Sequence, residues 1–219
     1  MNREWSELNK LLQQQLRKRD TFKEGLNTLF QLRAELMDVI MWFKAELDSA
    51  EFCAQPFPNA KGYHSKTVAY SLWHIFRIED IVSHTLVKGD EQVLFSGNYQ
   101  KRINSPIITT GNELSGAEIA EFSEKLDIAG LYSYISEVRD ETEKMLADME
   151  YERLKEKIMP ERREMLEALN VVDGGENSVW LIDYWCGKDI RGLIQMPFSR
   201  HWIMHIEACL RICDRLKKM

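Results

Sequence analysis

The chain has 219 residues, 44% of them hydrophobic, which is enough for a substantial core within one domain. Its 29 Lys and Arg against 35 Asp and Glu give a formal charge of −6 with both signs dispersed, so electrostatics argue against nucleic acid or an anionic membrane as partner. Met1 to Asp20 is polar, no stretch approaches the ~18 apolar residues needed to cross a bilayer, and Cys53, Cys186, Cys209 and Cys213 form no C-x-x-C pair. Free thiols in a cytoplasmic protein are therefore expected.

Helical periodicity dominates and strand-like alternation is nearly absent, which predicts an all-α protein. Trp5 to Arg19 reads as a short leading helix. Thr21 to Leu47 carries Phe22, Leu26, Leu29, Phe30, Leu36, Ile40 and Phe43 at mostly three- and four-residue spacing, one long helix with an apolar stripe. Pro56, Pro58, Asn59 and Gly62 make a loop, after which His64 or Ser65 opens a second long helix that Lys88 and Gly89 stop near Val87. Asp90 to Gly116 is rich in Gly, Asn, Ser and Pro and reads as a long crossover connection. Ser115 caps a short helix, and Asp127 to Met149 is the third long one. A helix near Glu161 to Leu169, a turn at Asp173-Gly174-Gly175 and an aromatic helix from Val179 to Cys186 lead to the last helix, started by Pro197 and Ser199. Four long helices with short extra ones imply a four-helix bundle in a single domain, 1–219.

Among only five histidines, His201 and His205 lie one turn and roughly 40° apart on the last helix, at the margin of an apolar arc of Trp202, Ile206, Cys209, Leu210, Cys213 and Leu216. His74 shares a core-facing sector of the second long helix with Ser71, Ile78, Ile81, Val82 and Thr85. Buried imidazoles need partners, and one shared divalent metal would supply them all; histidines at the core edge bonded to backbone or carboxylates are the alternative. The metalloprotease motif H-E-x-x-H is excluded, because Trp202 stands where the general base belongs. His64 and His84 read as cap or surface residues, Cys209 and Cys213 as small core residues, and Trp180, Tyr184 and Trp185 as core before substrate wall.

The segment from His64 to Asp80, with Leu72-Trp73-His74 at its centre, and the later Met196-Pro197-Phe198-Ser199-Arg200-His201-Trp202-Ile203-Met204-His205 together resemble the DinB/YfiT-like superfamily of four-helix bundles. The resemblance runs from about Thr21 to the end and leaves the leading helix, 1–20, outside. It implies a metal triad of His74, His201 and His205 binding zinc, nickel or iron, and a thiol-dependent transferase that acts on small electrophiles with a low-molecular-weight thiol. Arg77 and Arg200, beside the ligand faces, are candidates to hold that cofactor's carboxylates. Metal-dependent hydrolysis and a non-enzymatic helical interaction protein, dimeric through the leading helix, are the competing readings; the former lacks a base, since Glu79 and Asp80 turn away from His74. For either enzyme the partner expected is a small-molecule substrate.

Overall fold

A computed structural model describes residues 2–219. It is all-helical: among the described residues no strand forms, and the sole β contact is an isolated bridge between Lys157 and Asp189. The leading helix α1, Arg3–Gln15, is capped by the Asn2 side chain and packs along α2, Phe22–Glu46, so Trp5, Leu12 and Leu16 belong to the chain's own core. Next come α3, Val68–Asp80, α4, Ile128–Ala147, and α5, His201–Leu216. The helix α3 packs against both α4 and α5, and α2 contacts the same two, so four long helices surround a common interior.

The starts of α3 and α4 are set by side chains. Thr67 accepts the Tyr70 amide at 3.0 Å, which places the beginning of α3 at Val68 rather than at His64 or Ser65; those two sit in a 3-10 turn, Gly62–Ser65. Asp127 caps α4 through the Gly130 amide at 2.6 Å. Beyond Asp80 the chain continues as π-helical turns, Ile81–Lys88, until Gly89 adopts φ 75°, the left-handed conformation expected of a stop. A second π-helical segment, Met196–Arg200, leads directly into His201, so the regular last helix starts later than Pro197 and Ser199 predict.

The crossover from Asp90 to Gly116 contains two short helices, Val93–Ser96 and Tyr99–Ile103, and is otherwise irregular. Two short helices escape the sequence reading: Ser49–Cys53, closed by a reciprocal capping box between Asp48 and Glu51, and Ile190–Gln195, capped by Asp189. No helix among the described residues is long and apolar enough to cross a membrane.

Two clusters of buried apolar side chains share α3. Its first half, Val68 to Phe76, contributes to one, with Trp202, Ile203 and Ile206 of α5; from Ile78 onward the other takes over, with Phe198, Ile194 and Trp185. His74 and His201 fall at the changeover, where the interior becomes polar.

Candidate metal centre

Every residue of α3 is buried, and one stripe of it is polar. Tyr70, Trp73, His74 and Arg77, at i, i+3, i+4 and i+7, donate to four consecutive carbonyls of the crossover: Gly111 (2.9 Å), Thr109 (3.2 Å), Thr110 (2.7 Å) and Ile108 (2.7 Å). A carbonyl only accepts, so the His74 Nδ1 carries the proton and Nε2 keeps its lone pair for a ligand. The Tyr70 ring lies nearly parallel to the imidazole, centroids 5.6 Å apart at 10°, and fixes its plane.

From α5, His201 and His205 meet His74 with ring centroids 5.1 and 4.8 Å away, and their own rings 4.6 Å apart. One nitrogen from each ring can be chosen so that all three lie within 4.8 Å of one another. The three are at most 7% exposed. The Nδ1 of His201 and both nitrogens of His205 are buried without a hydrogen-bond partner, an arrangement that costs free energy unless something binds there. Burial lowers the His74 pKa to about 4, and burial together with the neighbouring imidazoles holds His201 and His205 well below the usual range. All three are therefore neutral at pH 7, the state that coordinates a cation. A buried set of neutral, convergent, unpartnered nitrogens fits a divalent transition metal, and the cluster could hold one.

Trp202, the residue after His201, is itself anchored. Trp202 Nε1 donates to Glu79 at 2.8 Å, and the Arg33 guanidinium lies 4.3 Å over its ring. Arg33 grips both Glu79 oxygens, at 3.0 and 2.7 Å, and also reaches Glu143 and the Phe198 carbonyl. This ionic knot joins α2, α3, α4 and the start of α5 directly beside the histidines.

A pocket of about 230 Å³ opens onto the three imidazoles. Its walls are Ile78, Trp180, Leu181, Tyr184, Trp185, Met196 and Pro197, with Tyr63 and Asn112 as the polar contributors; none of the lining residues is acidic. The aromatic residues of the helix Trp180–Cys186 thus form a wall rather than core alone: Trp180 is 49% exposed, while Trp185 is buried and serves both roles. Tyr63 stands edge-on to His205, centroids 4.7 Å apart, and the next residue, His64, accepts a hydrogen bond from Arg211 at 3.0 Å that ties this turn to α5.

Other expected site residues lie elsewhere. Arg77 is fully buried and bonded to Asp80, Gln92 and the Ile108 carbonyl, so it is a structural cation and not free to hold a cofactor; helix α3 has no solvent face to put it on. Arg200 is exposed and does not line the pocket. His84 is buried rather than at the surface, because the left-handed turn at Gly89 folds Asp90 back onto its Nδ1 at 2.7 Å. Glu79 and Asp80 do turn away from His74, toward Arg33 and Arg77. Cys209 and Cys213 are buried, and burial pushes their thiols up to about 12 and about 11, which keeps them protonated.

The residues missed at the sequence level are Thr110, which orients His74, and Tyr63, Tyr70 and Lys66 around the triad. The polar stripe of α3 was a readable signal for the first. No family model and no curated protein matches the chain.

Proposed function

We propose that the chain is a divalent-metal-dependent enzyme of the DinB/YfiT-like kind, its metal held by His74, His201 and His205, and that it transfers a low-molecular-weight thiol onto small electrophiles. The observation that carries this reading is the convergence of three buried, uncharged imidazoles, of which His201 Nδ1 and both His205 nitrogens have no hydrogen-bond partner. Zinc, nickel and iron all suit such a donor set. A divalent cation with three protein ligands would keep a position open and hold a thiol there as the nucleophilic thiolate at neutral pH.

The chain's own residues supply the rest. Thr110 fixes the tautomer of His74, and such outer partners sustain metal affinity. Trp180, Leu181, Tyr184 and Trp185 offer an apolar wall that keeps water from the reacting pair and accommodates an apolar electrophile. Thiol transfer is favoured over metal-assisted hydrolysis because no carboxylate lines the pocket to take a proton from water.

Two measurements test the reading. Elemental analysis of protein purified without an affinity tag is expected to show one metal per chain, lost in His74→Ala; a metal-free protein would instead favour a helical interaction module. Wild type mixed with cellular thiols and a chromogenic electrophile is expected to outpace His74→Ala, and equal rates would dismiss the transferase mechanism.

A further inference from the structure

Asn112 is half-buried and is the only amide side chain lining the pocket, where no Lys, Arg, Asp or Glu takes part. Two contacts fix its orientation. The Asn112 backbone N–H donates to Thr110 Oγ1 at 3.4 Å, so that hydroxyl turns its own proton to Asn112 Oδ1, at 2.9 Å. On its other side Asn112 Nδ2 faces the Asn177 carbonyl at 3.5 Å, and a carbonyl only accepts. The Oδ1 is therefore engaged and the amide turns N–H outward. One of its protons makes a long bond to Asn177; the other has no partner among the described residues. The same Asn177 carbonyl accepts from Trp180 Nε1 at 3.0 Å, which leaves the indole only apolar surface to offer. With Tyr184, whose ring meets it edge-on at 5.7 Å, and the buried Trp185, it makes a flat aromatic wall. A pocket of about 230 Å³ with such a wall and an unused N–H suits an apolar body carrying an acceptor. Asn112 stands two residues past Thr110, whose carbonyl orients His74, so one loop sets both the donor and the triad.

We infer that the ligand of this pocket is a flat, apolar, aromatic compound bearing a carbonyl oxygen, and that Asn112 selects it by donating its unused N–H to that oxygen. The inference rests on the reading above of this pocket as the substrate site, and adds to it the substrate's chemical class and the residue that chooses it.

The test uses two compounds of nearly the same shape, para-fluoroacetophenone and para-fluorocumene, of which only the first has a carbonyl oxygen. Their binding to the full chain, zinc-loaded and chelator-stripped, is followed by fluorine NMR. Asn112→Asp keeps an oxygen for Thr110 but has no N–H, and Asn112→Leu has neither donor nor charge. The affinity for the ketone relative to the cumene is expected to fall about tenfold in both variants, equivalent to about 1.4 kcal/mol, the worth of one hydrogen bond. The same fall in stripped protein separates Asn112 from any contact between the carbonyl and a metal. In wild type the Asn112 side-chain amide signal, recognised by its absence from both variants, is expected to shift with the ketone and not with the cumene, a readout that requires no variant to bind. A relative affinity unchanged in either variant, or an amide signal indifferent to the ketone, overturns the role of Asn112. Failure of both compounds to bind overturns the substrate class, while metal content measured on the same protein decides the metal reading independently.

Discussion

Glu79 and Arg33 are fully buried and bonded to each other twice, and Arg33 is the only cation among the described residues that Glu79 is bonded to, although Trp202 also donates to Glu79 and Arg33 also reaches Glu143 and the Phe198 carbonyl. Removing one partner of such a pair strands a charge, a loss of about 3–5 kcal/mol, whereas replacing both by apolar residues of similar size is close to neutral. Glu79→Gln is therefore expected to lower the urea midpoint sharply, and Arg33→Met with Glu79→Leu to recover part of it, since Trp202, Glu143 and the Phe198 carbonyl then lose their partners. If the double variant is as unstable as the single one, the pair does more than neutralise itself. A subtler residue is Gly111. Its φ of +80° suits glycine, and a Cβ there would stand 3.0 Å from the Tyr70 ring. Gly111→Ala must shift either that ring or the loop whose Thr110 carbonyl orients His74. A stability loss of roughly 1–2 kcal/mol is expected together with a metal affinity lowered about 10–100-fold, read by competition with a chelator; unchanged affinity would mean that the carbonyl does not matter to the triad.

At the scale of elements, the long helices were legible because each repeats an apolar stripe, and α4 also carries its own start signal in Asp127 before Ile128. So was the meeting of His201, His205 and His74, because two lie one turn apart and the third faces inward on a helix that packs against theirs. What could not be read was anything decided by chain segments folding back. Arg77 looks like a surface cation in the sequence, but the crossover lies over it and supplies Ile108 and Gln92 as partners. His84 is hidden by the turn at Gly89 in the same way. The helix Trp180–Cys186 is a third case, since its aromatic side chains signal burial without saying whether they face a core or a cavity. Its position over the triad makes a specific expectation: Trp180→Ala, at a half-exposed site, should change stability by no more than about 0.5 kcal/mol and leave metal content intact, while raising KM for an apolar electrophile at unchanged kcat. A fall in kcat with KM constant would place Trp180 in the chemistry instead of the wall.

For the whole molecule, the triad couples folding to both pH and metal. Burial holds the His74 pKa at about 4, against about 6.5 in an unfolded chain, and lowers His201 and His205 in the same direction. Above pH 6.5 neither the folded nor the unfolded state of the metal-stripped protein protonates these rings, and their contribution is constant. Between pH 6.5 and 4 the unfolded state takes up protons that the folded state refuses, so stability falls as pH falls; for His74 alone the loss reaches about 3 kcal/mol, complete only below about pH 4. A metal that binds the folded triad adds stability at neutral pH, about 4 kcal/mol at a thousandfold excess over Kd. The gain shrinks only near pH 4 and below, where protons begin to compete for the lone pairs of the folded rings. Denaturation of loaded and chelator-stripped protein at pH 7.5 and 5 is thus expected to show a gap that persists at pH 5, while both forms weaken over that interval as the unfolded chain takes up protons. A variant with glutamine at 74, 201 and 205 should show neither the gap nor the acid loss that belongs to these rings. A gap that closed between pH 7.5 and 5 would mean the ion sits on groups that take up protons in that range, and that the convergence of the three histidines serves packing alone.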